Sequence, residues 1–280
     1  MSRECIPQLA MIERAREACQ RDDRLAAALM YGSFSRGEGD RYSDVEFALF
    51  FADDALPQVD QRAWAAQVAP VLVYFADSNQ HHTAIFEGLI RGEFHFKRES
   101  DIPWVASWRG NAWFPSLAHT VLLDRTGELA RHLAGLVGPA PERDTLEQVE
   151  RLALHFMDGV VFGTTVLARG EAARALEILS YNNRNLLHMA RLHERSTEHW
   201  PTPSRGLERD LSPEAYARYQ ACTAPCERDA LWRAYQEAWR WGRELVEAGA
   251  RRHGILLPAE LVARVAERMA GPECASVDPG

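Results

Sequence analysis

Lysine is almost absent from this 280-residue chain. Lys97 is the single lysine among 32 basic residues, and all the others are arginine. A Walker A loop needs a lysine directly after a glycine-rich stretch, but Lys97 follows Glu93-Phe94-His95-Phe96. The sequence therefore excludes a P-loop nucleotide-binding protein. The scarcity of lysine also disfavours a Schiff base to pyridoxal phosphate.

Positive charge is in deficit overall. Forty acidic residues against 32 basic ones give a net charge of −8. Proteins that grip nucleic acid do so by neutralising phosphates, so this balance argues against a nucleic-acid partner. The 46% hydrophobic and 26% charged residues are ordinary for a folded chain, which excludes the disordered and fibrous classes. The length indicates about two domains, at roughly 150 residues per domain.

Cysteines are few, scattered and odd in number. They are Cys5, Cys19, Cys222, Cys226 and Cys274. The start of the chain carries charged residues at short intervals and lacks the apolar core of a signal peptide. By sequence, we expect no stretch to reach the length needed to cross a bilayer. We therefore expect a reduced, cytoplasmic protein with free thiols and no membrane contact.

The first half of the chain mixes apolar runs with helical periodicity. Helices are predicted over residues 6–20 and 58–69, and strands over 25–31, 44–51, 71–75, 83–86, 93–96 and 120–123. This alternation predicts an α+β domain with a mixed sheet over residues 1–138.

The second half is helical by pattern. Gly138-Pro139-Ala140-Pro141 is the best linker candidate in the chain. Beyond it, helical periodicity covers 146–168, 172–193, 213–222 and 228–253, with a shorter segment after residue 258. We predict an all-α helical-bundle domain over 142–272, followed by a tail at 273–280.

The segment from Met30 to Phe47 carries the strongest chemical signal. Gly32 and Ser33 form a turn after an apolar run, where free backbone N–H groups and the absence of a side chain allow a ligand to approach closely. A helix beginning near Ser33 would add N–H donors suited to phosphate. Arg36 could pair with a phosphate oxygen. The pattern predicts a phosphate-binding turn.

Two carboxylates follow on the next predicted strand. Asp44 and Glu46 are two residues apart, so both side chains leave the same face. Neighbouring carboxylates repel each other, and oxygen ligands beside a phosphate site suit Mg²⁺. Taken singly, a Gly-Ser pair is usually only a turn, and an Asp-x-Glu pair is usually a solvent-exposed polar face. Their order on an otherwise apolar strand favours a metal site.

Gly-Ser, a short glycine-rich loop and acidic-x-acidic on a strand together resemble the signature of the DNA polymerase β-like nucleotidyltransferase superfamily. Longer segments resemble one antibiotic-modifying branch, the lincosamide nucleotidyltransferases. They are 30–47, 89–96, 113–117 and 200–205. The resemblance extends over most of the chain. It implies a polymerase β palm-like mixed-sheet domain, followed by a helical domain for substrate binding and dimerisation.

The resemblance also implies a reaction and its residues. A nucleoside monophosphate, expected to be AMP from ATP, would pass to a hydroxyl of a lincosamide such as lincomycin or clindamycin. Asp44 and Glu46 match the metal-binding carboxylates, Glu93 matches the third active-site carboxylate, and Gly32 and Ser33 match the triphosphate-binding turn. The implied partners are a small-molecule antibiotic, a nucleoside triphosphate, Mg²⁺ and a second copy of the chain, and neither nucleic acid nor membrane.

The role of Glu93 stays open at this point. Glu93 either completes metal coordination or accepts the hydroxyl proton as a general base. Neighbouring carboxylates raise the pKa of such a group, whereas a nearby Mg²⁺ lowers it. Without the resemblance, an ion pair with Arg91 would be the simplest interpretation of Glu93.

Three further functions compete with the lincosamide assignment. An aminoglycoside acceptor would want an acidic pocket, with which the net charge is compatible. A polymerase-like enzyme acting on RNA ends or on a protein side chain would need a basic track. A non-catalytic regulatory member would be expected to lack a carboxylate, and all three are present.

Weaker signals have ordinary explanations. Cys222 and Cys226 have helical spacing, but no further ligand completes a zinc set, so idle thiols are expected. The aromatic-rich stretch around Trp232 and Trp239 indicates core packing or an interface, with a wall of the antibiotic pocket as the alternative. Trp200, in a proline-rich loop, is a similar case.

Overall fold

The structure is a computed structural model that describes residues 6–78 and 81–271. The chain divides into two compact units, Met1–Pro141 and Glu142–Gly280. The predicted tail at 273–280, together with Cys5 and Cys274, lies outside the described residues.

The first unit contains one mixed sheet, with six strands among the described residues. They are β1 (Leu25–Met30), β2 (Val45–Phe51), β3 (Val71–Ala76), β4 (His82–Phe86), β5 (Arg91–Arg98) and β6 (Val121–Asp124). Their order across the sheet is β3-β4-β5-β2-β1-β6. Strands β2 and β5 are parallel, and the other neighbours are antiparallel. The sheet brings β2 and β5, which carry the candidate carboxylates, side by side.

Short helices surround this sheet. They are α1 (Pro7–Arg21), α2 (Gly32–Ser35), α3 (Gln61–Ala65), α4 (Leu117–Thr120) and α5 (Glu128–Leu133), with 3-10 segments at Leu56–Gln58, Glu99–Trp108 and Ala134–Leu136. The predicted helix over 58–69 is wrong in extent. Pro57 lies within a 3-10 turn, and the side chain of Asp60 then caps the short helix α3 by accepting from the backbone of Ala63.

Alternating side chains on the central strands pack into two hydrophobic cores, one on each face of the sheet. Phe47 and Phe51 of β2 join a buried cluster with Met11 of α1 and Trp64 of α3. Phe50, on the opposite face, joins a second cluster. That cluster includes Ile102, Val105, Leu129 and Leu133, from the 3-10 segment Glu99–Trp108 and from α5. Because both faces are covered, these strands are almost wholly apolar, except where they approach the candidate site.

The second unit is all helical in the part that the structure describes. Its helices are α6 (Leu146–Ala168), α7 (Ala172–Glu194), α8 (Leu207–Asp210), α9 (Pro213–Ala221), α10 (Arg228–His253) and α11 (Ala259–Ala270). Helices α6, α7 and α10 pack on one another around a single apolar cluster. A mixed-sheet domain followed by a helical-bundle domain confirms the predicted α+β class.

Helix α6 corrects the expectation that no stretch of the chain is long enough to cross a bilayer. Its 23 residues are long and apolar enough to cross a bilayer by length and composition. Half of its most apolar stretch is buried within the structure, however, where Leu152, Phe156 and Val160 belong to the core of the helical unit. Helices at the centre of a bundle meet the same criteria as membrane spans.

Candidate active site

The turn after β1 is shaped by one glycine. Gly32 begins the four-residue helix α2 and has a φ of 71°, a conformation that disfavours other residues. A Cβ atom built on Gly32 would overlap the carboxylate of Glu46. The absence of a side chain at Gly32 is therefore what lets Glu46 lie against the predicted phosphate-binding turn.

The three predicted carboxylates come from two neighbouring strands. Asp44 directly precedes β2, and Glu46 is the second residue of that strand. In the parallel register, Glu46 lies opposite Glu93 of β5. Residues two apart share a face of a strand, so Asp44 and Glu46 face the same side. The structure thus brings together the carboxylates that the sequence separates by 47 residues.

Arg91 connects two of these carboxylates. One guanidinium nitrogen lies 2.9 Å from Oδ2 of Asp44, and the other lies 2.8 Å from Oε2 of Glu93. The ion pair between Arg91 and Glu93, which was the simplest alternative from sequence, is therefore present. It accompanies the carboxylate grouping and does not replace it.

Tyr31 and His95 complete the surroundings of Glu93. The Tyr31 hydroxyl donates to Oε1 of Glu93 over 2.9 Å, and Nε2 of His95 lies 3.6 Å from the same oxygen. The Tyr31 backbone N–H also donates to the Glu46 carbonyl, which ties the end of β1 to β2. Sequence reasoning missed both residues. Their positions offered a signal: Tyr31 adjoins Gly32, and His95 lies two residues beyond Glu93 on one strand.

The carboxylates have different electrostatic environments. Burial, followed by repulsion from Asp44 and Glu93, raises the pKa of Glu46 to about 7. Burial also acts to raise the pKa of Glu93, but hydrogen bonds from Arg91 and Tyr31 outweigh it, so that this pKa is lowered. Burial, with the charges of Glu93 and Glu46, raises the pKa of Tyr31, which keeps its hydroxyl a donor. Burial lowers the pKa of His95 to about 4, so the imidazole is neutral at pH 7.

The donor set fits a divalent cation. Asp44, Glu46 and Glu93 supply only oxygen atoms, as Mg²⁺ prefers, and repulsion from Asp44 and Glu93, which adds to burial in raising the pKa of Glu46, is a repulsion that a cation would relieve. Within 6–78 and 81–271, no group of three His, Cys, Asp or Glu side chains is already close enough to hold a metal ion. Binding would therefore require these carboxylates to rearrange, and Arg91 holds two of them.

The predicted nucleotide-binding residues lie beside this set. The Ser33 hydroxyl is buried, and no hydrogen-bond partner is found for it within the described part of the chain. Arg36 pairs with Glu38 at 3.2 Å and lies near enough to Glu46 to lower its pKa. Helix α2 is too short for a substantial macrodipole, so phosphate binding here would depend on the turn and these two side chains.

An aromatic cluster backs the site. The rings of Tyr31 and Trp108 are 5.4 Å apart between centroids, and those of His95 and Trp104 are 5.1 Å apart. Trp104 and Trp108 are half-buried and pack edge-to-face. Lys97, the single lysine, places its Nζ 4.7 Å from the centroid of Trp104.

Most of the tryptophans and cysteines that were weaker candidates by sequence lie in the core of the helical unit. Trp232 and Trp239 of α10 are buried in the helical core, as is Trp200, although Trp239 also lines a cavity together with Gln236 and Met269. Cys222 is buried and burial raises its pKa to about 12, which describes an unreactive thiol. Cys226 is exposed.

Comparison with known protein families gives a match over the helical unit. Residues 145–268 match the model of a family described as "Lincosamide nucleotidyltransferase-like, C-terminal domain". The helical unit is therefore similar to that domain, and the predicted resemblance to antibiotic-modifying nucleotidyltransferases is confirmed there. A comparison with curated protein sequences finds no match.

Two solved structures resemble the chain at low identity. An aminoglycoside 6-adenyltransferase from Bacillus subtilis is 14% identical, with a TM-score of 0.44 over 94% of this chain and 96% of that one. A nucleotidyltransferase-like protein from Exiguobacterium sibiricum 255-15 is also 14% identical, with a TM-score of 0.38 over 87% and 77% of the two chains.

Proposed function

We propose that this protein transfers a nucleoside monophosphate, AMP in the first instance, from a nucleoside triphosphate to a hydroxyl of a lincosamide antibiotic. Pyrophosphate is released and the drug is inactivated. The observation that carries the proposal is the alignment of Glu46 with Glu93 across the parallel strands, beside Asp44 and the Gly32 turn.

The reaction is an in-line displacement at the α-phosphorus. The acceptor oxygen forms the new P–O bond, and the bond from the α-phosphorus to the oxygen bridging to the β-phosphate breaks. Glu93 accepts the hydroxyl proton. Its lowered pKa keeps this carboxylate ionised and able to accept, while the Tyr31 hydroxyl fixes one of its oxygens. Positioning and electrostatics supply most of the acceleration in phosphoryl chemistry.

Asp44, Glu46 and Glu93 are the residues that would hold Mg²⁺. Bound Mg²⁺ neutralises charge on the phosphoryl oxygens and on the leaving pyrophosphate. In this proposal, the buried hydroxyl of Ser33 and the guanidinium of Arg36 would contact the triphosphate beside the Gly32 turn.

The acceptor class rests on the helical unit. Its match to a lincosamide nucleotidyltransferase-like domain over 145–268 favours a lincosamide. The net charge of −8 is compatible with a polycationic aminoglycoside, which is the second candidate. The resemblance also suggests a cytoplasmic protein that forms a homodimer. Light scattering of the purified chain would test the homodimer.

The experiment is a mass-spectrometric screen. Lincomycin, clindamycin and representative aminoglycosides are incubated with protein, Mg²⁺ and each nucleoside triphosphate in turn, and pyrophosphate is measured in parallel. We expect one adenylyl group on a lincosamide with ATP. Glu46→Gln serves as the inactive control.

The screen separates the chemistry from the substrate. Modification of aminoglycosides alone would reject the lincosamide assignment and retain nucleotidyl transfer. If no antibiotic is modified with any nucleotide, the proposed function is wrong.

A further inference from the structure

Arg91 is held by the very oxygens that the proposed function needs for a metal ion. It is the first residue of β5, and its guanidinium spans from Asp44, before β2, to Glu93 on β5. Each of the two carboxylates gives it one oxygen, at 2.9 and 2.8 Å. A single side chain thus neutralises two of the three candidate ligands.

This arrangement contributes little to the stability of the fold. The Arg91 side chain is 44% exposed, and the side chains of Asp44 and Glu93 are 35% and 22% exposed. Ion pairs this accessible to solvent are worth about 0–1 kcal/mol. Breaking them therefore costs the enzyme little, and the guanidinium can leave the carboxylates without disturbing the sheet.

A divalent cation and the guanidinium compete for these two carboxylates. Both need the anionic lone pairs of Asp44 and Glu93, and their like charges repel at such short range. Among the described residues, the hydrogen bonds and ion pairs of Arg91 with these ligands go to Asp44 and Glu93, and Arg91 acts on Glu46, whose carboxylate lies against Gly32, only by longer-range attraction.

We propose that Arg91 is an internal counter-ion that pairs with Oδ2 of Asp44 and Oε2 of Glu93 until a divalent cation displaces it. This inference rests on the proposed function, because it takes those carboxylates as metal ligands. Arg91 thereby weakens metal binding in the nucleotide-free protein and keeps the carboxylates from repelling one another. Displaced from them, the guanidinium becomes available to anionic oxygens of the nucleotide.

The experiment measures metal affinity directly and needs no turnover. Mn²⁺ is titrated into nucleotide-free protein, and free Mn²⁺ is followed by electron paramagnetic resonance. Arg91→Gln is compared with wild type and with Arg98→Gln. Arg98 is on the same strand, about 23 Å away at roughly 3.3 Å per residue, and its substitution changes the net charge equally. Thermal unfolding checks that each variant is folded.

We expect Arg91→Gln to bind Mn²⁺ at least about tenfold more tightly than wild type, because a unit charge a few ångströms from the ligands is removed. Arg98→Gln should match wild type within about twofold, since its distance exceeds the screening length. Equal affinities of wild type and Arg91→Gln would overturn the inference, as would an equal gain in Arg98→Gln. Absence of Mn²⁺ binding in every variant would instead reject the metal site of the proposed function.

Discussion

Glu46 and Glu93 lie opposite each other on the parallel strands β2 and β5, yet their pKa values move in opposite directions. Burial dominates at Glu46 and raises its pKa to about 7. At Glu93, donors from Arg91 and Tyr31 stabilise the ionised form more than burial disfavours it. The two aligned carboxylates therefore differ in charge near neutral pH: Glu93 is ionised, whereas Glu46 is partly protonated in the absence of a compensating cation.

Asp44 and Glu46, the two proposed metal ligands directly before β2 and on it, should differ in their effect on stability. At pH 8 without metal, we expect Glu46→Gln to raise the free energy of unfolding by about 1–3 kcal/mol, since a buried charge is removed. Asp44→Asn should lower it by about 0–1 kcal/mol, because it breaks the exposed pair with Arg91. Both should abolish turnover. Chemical denaturation of the full chain checks this, and near-normal turnover in either variant would move the active site elsewhere.

Glu93→Gln should distinguish a base from a metal ligand. For a general base, we expect nucleotide binding to persist while turnover falls by roughly 10²–10⁴-fold, with partial recovery at high pH. For a metal ligand, Mn²⁺ affinity should fall and excess Mg²⁺ should restore activity. Steady-state kinetics over pH and Mg²⁺ concentration separates the two. Unchanged turnover at neutral pH would contradict both roles.

Tyr31→Phe should impair turnover with little effect on nucleotide affinity. The variant removes the hydroxyl that donates to Oε1 of Glu93 and leaves the ring contacts with His95 and Trp108 in place. We expect kcat to fall about tenfold, which corresponds to a hydrogen bond of about 1.4 kcal/mol, while KM for ATP stays within twofold.

Tyr74→Phe is the matched control for Tyr31→Phe. The Tyr74 hydroxyl contacts His82 and Gln61 and touches none of the candidate site residues. An equal loss of kcat in both variants would attribute the Tyr31 effect to the fold and not to Glu93.

The elements of the fold follow closely from the sequence. Strand β2 was predicted over 44–51 and is observed at Val45–Phe51, because its apolar run is bounded by polar turns. The Glu99–Trp108 segment was missed, since Pro103 within it interrupts the regular helical pattern.

The site was only partly predictable. Asp44, Glu46 and Gly32 could be named from the spacing of residues 30–47, because local sequence determines which face a strand residue occupies, whereas Glu93 was named only through the family resemblance. The contacts of Arg91 with Asp44 and of Tyr31 with Glu93 depend on strand order, which places β5 between β4 and β2 and parallel to β2. No local pattern specifies that order, so neither contact could be derived from the sequence.

A buried arginine should make the helical unit sensitive to acid. Arg191 is fully buried and pairs with Asp210 at 3.1 Å, and His199 contacts the same carboxylate. Burial acts to raise the pKa of Asp210, but hydrogen bonds from His199 and Arg191 prevail and lower it. A carboxyl whose pKa is lower in the folded state stabilises the protein above its unfolded pKa of about 4, and this stabilisation is lost as the pH falls further.

Asp210→Asn should remove that acid sensitivity. At pH 7 we expect a loss of about 2 kcal/mol, because the buried guanidinium of Arg191 loses a charged partner. Between pH 5 and pH 3, the melting temperature of wild type should fall more steeply than that of the variant. Calorimetry at both pH values checks this, and parallel profiles would show that Asp210 does not carry the effect.

Gly32→Ala should disrupt the site because the added methyl group overlaps Glu46. Gly88→Ala is a control that has the same backbone strain without this overlap. Both Gly32 and Gly88 have positive φ values, 71° and 84°. Alanine at either position costs about 1–2 kcal/mol in backbone strain. A Cβ at Gly88 meets nothing within 4 Å, whereas a Cβ at Gly32 overlaps the Glu46 carboxylate. Only Gly32→Ala must therefore displace Glu46.

The two variants should consequently lose similar stability and differ in metal binding and activity. We expect Gly88→Ala to keep wild-type Mn²⁺ affinity and turnover, and Gly32→Ala to lose at least about 10²-fold in turnover, as misplacement of catalytic groups by about 1 Å does. Thermal unfolding, Mn²⁺ titration and kinetics on the same preparations provide the comparison. If Gly32→Ala retained activity, Glu46 would tolerate displacement from the turn, and its assignment as a metal ligand at that position would be wrong.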